Sequence, residues 1–172
     1  MLAAALANGG NESNLAPAYK LFAALARQGR LSLANPNIAN LEKGEVEVAV
    51  LWDFNALSYC DKIDPTQFTV SISEDGSLVA GYTTIINRYA KYPNAAKLMR
   101  EYIFSDEGQV NLARDHARPI RNKVAMPRDV QDKMLPAGQY LNAKLIQDFA
   151  AWEKTTRLLP RQWQEQVTSF YR

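Results

Sequence analysis

The stretch GEVEVAVLWDFNAL, Gly44 to Leu57, decides how the rest of the chain is read. Glu45 and Glu47 alternate with Val46 and Val48, and the run then turns fully apolar at Val50, Leu51 and Trp52. That pattern predicts a strand that enters a sheet buried on both faces. Its end, Trp52-Asp53-Phe54-Asn55, combines an aromatic, a carboxylate and an amide. In open α/β sheets small ligands sit beyond the carboxyl ends of strands, so these groups are candidates for packing, ion pairing and hydrogen bonding with a small solute. The competing reading places Trp52 in the core and uses Asp53-Phe54-Asn55 to cap the next helix.

Working outward, further β-rich runs cover residues 67–72 and 78–86, the second with Gly81 and Tyr82 at its centre. Glycine inside a strand predicts a bulge or a close approach by another group. Tyr82 is then either a core tyrosine or a polar tip aimed into a cleft, while Tyr59, Tyr89, Tyr92 and Tyr102 are expected as half-buried packing residues. The other segments read as helices. Asn14 caps one that Gly29 stops, and a short one ends near Gly44. Pro93 or Asn94 opens a third, with Ala96, Leu98, Met99, Tyr102 and Ile103 as its apolar stripe, and Ser105 caps a fourth that runs to about His116. Pro127 starts a short helix, and residues 142–152 and 159–171 supply two more. No internal repeat or linker-like segment interrupts the chain. Strands interleaved with helices predict an α/β domain with a small sheet and many helices.

With 172 residues, of which 47% are hydrophobic, one core is expected rather than two. A net charge of +2 carries no signature of a nucleic-acid surface or a polybasic membrane patch. Cys60 is the only cysteine, which excludes an intrachain disulfide. The opening MLAAALANGG lacks the positive n-region and the apolar length of a secretory signal. No apolar run is long enough to span a bilayer, so the chain reads as soluble. Enzyme signatures are weak. There is one histidine, His116, no Gly-x-Ser-x-Gly elbow, and no glycine-rich phosphate loop; Asn8-Gly9-Gly10-Asn11 has the wrong spacing and no lysine after it. Metal-ligand spacing is absent as well, so no metal, cofactor or catalytic residue is expected, and His116 reads as a helix-end residue. The rival from another class is a small hydrolase-like enzyme built on His116.

The stretch DHARPIRNKV, Asp115 to Val124, gathers Arg118, Arg121 and Lys123 around Pro119 directly after a helix. Cations at a helix C-terminus complement the macrodipole, which is the simpler account. A loop that holds an anionic group is the sharper one, because a guanidinium offers a planar fork of donors.

Taken in order, GEVEVAVLWDFNAL and DGSLVAGYTTIINRYAKYPNAAKLMREYIFSDEGQVNLARDHARPIRNKV resemble the later half of bacterial extracellular solute-binding proteins of ABC importers. The group is the one containing polyamine, ferric-iron and phosphonate binders. The match covers residues 44–124 and rests on the order and spacing of its pieces. It implies a fragment of a bilobal, type II periplasmic-binding-protein-like fold, with the ligand in the cleft between the lobes. Residues 1–73 and 122–172 would be second-lobe material, and residues 82–116 would complete the first lobe. The resemblance also implies a missing N-terminal lobe, an ABC transporter permease as partner, a periplasmic or extracellular location, and a fragment whose apolar surface favours homo-oligomers. In polyamine-binding relatives the position of Arg118 carries an aromatic, that of Tyr82 a carboxylate and that of Ala80 a tryptophan. Ferric-iron relatives carry adjacent tyrosines, whereas here Thr83 follows Tyr82. These departures imply non-catalytic capture of an anionic or zwitterionic solute of phosphonate or carboxylate type. The expected ligand-binding residues are Trp52, Asp53, Asn55, Tyr82 and Arg118, with Arg121 and Lys123 as surface charges. A polyamine or ferric-iron receptor is the alternative within the family.

Overall fold

The computed structural model describes residues 1–171. In chain order its elements are α1 (Leu2–Ala7), α2 (Ala16–Arg27), α3 (Ile38–Glu42), α4 (Asp53–Lys62), β1 (Ser77–Leu78), α5 (Pro93–Phe104), α6 (Asp106–Arg114), α7 (Arg128–Gln131), β2 (Ala143–Lys144) and α8 (Phe149–Gln166). This is a helix-rich α/β arrangement with a small sheet. The chain divides into two compact units: Met1–Asn35 with Ile72–Ala80 and Ala137–Arg172, and Pro36–Ser71 with Gly81–Pro136.

The first unit is built on small side chains. Leu2 and Ala5 of α1 pack with Leu15, Ala18, Tyr19 and Ala26 on and beside α2, and Val167 closes the cluster. Alanine at the contact lets helix axes approach closely, while Phe22 and Trp163, edge to face at 5.4 Å, fill the wider end between α2 and α8. Tyr19 donates its hydroxyl to Gln162 Oε1 at 3.0 Å along the same seam. Beside them, β1 and β2 pair in parallel, Ser77 opposite Ala143 and Leu78 opposite Lys144. The sequence predicts two final helices, but residues 149–166 form one, with Pro160 inside it. Proline removes one donor; Glu153–Arg157 and Arg161–Glu165 ion pairs brace the turns on either side of it, and Trp152, Leu159 and Trp163 anchor both halves to the core.

In the second unit the helix starts are held by local contacts. Asn37 and Asn40 form a reciprocal capping box at the start of α3. Pro93 occupies the first turn of α5. Ser105 joins α5 to α6, its hydroxyl donating to the Tyr102 carbonyl at 2.7 Å and accepting from Gly108 N–H at 3.1 Å. Glycine is required at position 108, because a Cβ there would collide with the Tyr102 carbonyl.

The strand expectations fail. Residues 45–52 and 67–72 carry no strand, and of 78–86 only Leu78 pairs, together with Ser77 just before it. Val48 and Val50 are 86% and 89% exposed, so the segment is not buried on two faces. β-propensity records how well a residue packs against neighbouring strands, and among the described residues these segments have no neighbouring strand. Gly81 shows no close approach, since a Cβ there would meet nothing within 4 Å. Tyr89, Tyr92 and Tyr102 are exposed rather than half-buried, as are Leu98 and Met99 of the α5 stripe.

Candidate functional site

The candidate residues all fall in the second unit. Trp52 is the residue before α4, extended at φ −66° and ψ 144°, and its ring is 44% exposed, which excludes the core reading. Asp53 opens the helix, and a carboxylate in the first turn is favoured by the unbonded N–H groups there. Asn55 lies one residue beyond Phe54 in the same turn, and both Asp53 and Asn55 are half-buried. The expected cap at Asp53-Phe54-Asn55 is therefore displaced by one step, with Trp52 at the cap position and the polar groups inside the helix. Tyr82 is exposed, so it is not a core tyrosine, and it lies edge to face with Phe54 at 5.9 Å. That contact brings Tyr82 to the helix start that carries Trp52, Asp53 and Asn55. The geometry yields an aromatic wall with a carboxylate and an amide beside it.

Arg118 is exposed in the turn that follows α6, and its Nη1 donates to the Leu135 carbonyl at 3.4 Å. Buried groups hold this turn on both sides. Gln109, 2% exposed, donates Nε2–H to the Ile103 carbonyl and accepts from Ile120 N–H on Oε1, each at 2.8 Å. His116 is buried, and its Nε2 lies 3.1 Å from Asp61 Oδ2 in the last turn of α4. Lys133 Nζ stands 3.6 Å from the same oxygen. Arg121, expected as a surface charge, is exposed and also spans the α5–α6 junction, donating to the Phe104 carbonyl at 3.1 Å and pairing with Asp106 at 2.6 Å. The sequence reading missed Gln109, and it named Arg121 without its contacts. Nothing in a helical glutamine's sequence context marks it as buried, but an arginine shortly after an acid-capped helix is a recognisable clamp for that helix's first turn.

His116, on which the hydrolase reading rests, is buried and bonded to Asp61. A carboxylate only accepts, so Nε2 carries the proton shared with Asp61, and Nδ1 is buried without a hydrogen-bond partner. The one thiol, Cys60, donates to the Phe68 carbonyl at 3.3 Å, and burial together with the Asp61 and Asp64 carboxylates pushes its pKa up, away from nucleophilic use. No cluster of metal-ligating side chains exists among the described residues. A surface groove lined by Tyr19, Lys20, Arg27 and Phe170 among others includes none of the candidate residues.

Residues 1–144 match the family model described as bacterial extracellular solute-binding protein. The chain belongs to that family. Comparison with curated proteins gives no match. Membership assigns this solute-binding protein to the capture of a small molecule for ABC-type import, with a permease as partner and a location outside the cytoplasm. Members are generally not enzymes. No helix is long and apolar enough to cross a membrane among the described residues.

Proposed function

We propose that this chain captures an anionic or zwitterionic solute of phosphonate or carboxylate type, without catalysis, in an interlobe cleft of the kind its family uses. Arg118 meets the anionic head with paired N–H donors, and Asp53 meets an amine where the solute carries one. Trp52 and Tyr82 supply the wall, and Asn55 adds a neutral hydrogen bond. In this reading residues 82–116 complete the first lobe, and residues 1–73 and 122–172 belong to the second.

The observation that carries the proposal is the anchoring of the arginine turn. An arginine at a frayed helix end needs no buried support, yet His116 and Gln109 fix the backbone two residues before and two residues after Arg118. Holding a guanidinium in place lowers the ordering cost when an anion docks on it. Trp52 provides the test, because its partly exposed ring sits beside Asp53. Titration with methylphosphonate is expected to change tryptophan emission saturably, and putrescine at the same concentrations is expected to leave it unchanged. A saturable response to putrescine alone would replace this reading with the polyamine one.

A further inference from the structure

Helices α1, α2, α3 and α6 end in the same way. In each, the second residue after the helix donates its N–H to the carbonyl three residues before it, and the next N–H reaches one carbonyl further back, the Schellman pattern. The bonds are Gly9 to Leu6 and Gly10 to Ala5; Gly29 to Ala26 and Arg30 to Leu25; Gly44 to Leu41 and Glu45 to Asn40; and His116 to Ala113 and Ala117 to Leu112. The pivot residue must take a positive φ. Three of the four pivots are glycine, at φ 80°, 67° and 69°, and the fourth is His116, at φ 68°. His116 is the one non-glycine residue with positive φ among the described residues.

A side chain in the left-handed region costs energy that glycine avoids, so its presence calls for a function of the side chain. The buried Nδ1 without a partner adds a second cost. Against these stands a single polar contact, Nε2 to Asp61. Asp61 is in the last turn of α4, and Trp52, Asp53 and Asn55 are at the start of the same helix. The imidazole therefore ties the turn that carries Arg118 to the helix whose start carries Trp52, Asp53 and Asn55. Glycine at position 116 would preserve the helix end but not this tie.

We propose that His116 is a positioning residue for Arg118, and that its bond to Asp61 sets where the guanidinium stands relative to α4. The proposal rests on the reading of Arg118 as the anion-binding residue. Lys133 Nζ, 3.6 Å from the same carboxylate oxygen, adds a second cation-side contact to the clasp.

The test uses His116→Gly, which keeps the helix end, and Asp61→Ala, which cuts the clasp from the other side. The Arg118 Nε–H resonance of the ligand-free chain is expected to shift and broaden in both. Affinity for methylphosphonate is expected to fall about tenfold, the scale of one hydrogen bond to a charged group. Asp61→Asn, whose amide oxygen still accepts from Nε2–H, is expected to restore the resonance and most of the affinity. If both clasp variants keep the wild-type resonance and affinity while Arg118→Ala loses affinity, His116 positions nothing and the anion reading survives. If Arg118→Ala itself binds methylphosphonate like the wild type, or the wild type does not bind it, the anion reading fails and the clasp proposal with it.

Discussion

Replacing Gln109 with alanine is expected to loosen the arginine turn from the α5–α6 corner. The side chain is 2% exposed and makes two hydrogen bonds of 2.8 Å, one given to the Ile103 carbonyl and one taken from Ile120 N–H. Each is a neutral bond with a net worth of about 1 kcal/mol, and a buried group left without a partner costs about 1–3 kcal/mol instead. Ile120 is exposed, so its N–H can turn to water, whereas the half-buried Ile103 carbonyl recovers water less easily. The sum is a loss of about 2–3 kcal/mol. Urea denaturation measures it as a lower midpoint with an unchanged slope. Amide exchange at Ile120 should quicken beyond what the global loss explains. Gln109→Glu, which can still accept from Ile120 but cannot donate to Ile103 in its ionised form, is expected to keep more of the Ile120 protection. A Gln109→Ala loss below about 0.5 kcal/mol would show that the amide fills space and does not hold the turn.

Gly108→Ala is expected to destabilise by about 1–3 kcal/mol through overpacking against the Tyr102 carbonyl, although alanine favours a helix; calorimetric melting reads the sign directly. The pKa of Cys60 is raised by burial and by Asp61 and Asp64, so less thiolate is present at any given pH below it. Its alkylation rate should therefore rise at higher pH than that of an ordinary thiol, and Asp64→Asn should move the profile back toward lower pH. Exposed Val48, Val50, Leu98 and Met99 predict concentration-dependent self-association in light scattering, reduced by the double change Leu98→Lys and Met99→Lys.

The helices were legible because their signals are local. Pro93 and Ser105 act within one turn, and Gly29 and Gly44 mark stops that need a positive φ. The strands were not legible, because Val46 to Trp52 carries β-propensity but a strand also needs a partner that no local pattern supplies. The break expected between residues 152 and 159 does not occur, because packing of Trp152 and Trp163 keeps α8 continuous, Pro160 included. Of the candidate site, the Trp52 to Asn55 cluster and Arg118 could be picked out by residue type. The support beneath Arg118 could not, since it comes from Asp61, Gln109 and Leu135, which are distant in sequence or uninformative in context. One signal was present: α6 ends in Asp115-His116-Ala117, with no glycine at the pivot where α2 and α3 each have one.

Calorimetric titration of the chain with methylphosphonate and with putrescine, repeated on Arg118→Ala and Lys123→Ala, separates an anion receptor from a polyamine receptor. Methylphosphonate is expected to bind and putrescine not to, Arg118→Ala is expected to weaken binding by about 1.5–3 kcal/mol, the range of a hydrogen bond to a charged group, and the exposed Lys123 is expected to contribute little. Binding of putrescine with an affinity that Arg118→Ala leaves unchanged would contradict the anion reading, and the arginine turn would then be only a well-anchored helix end.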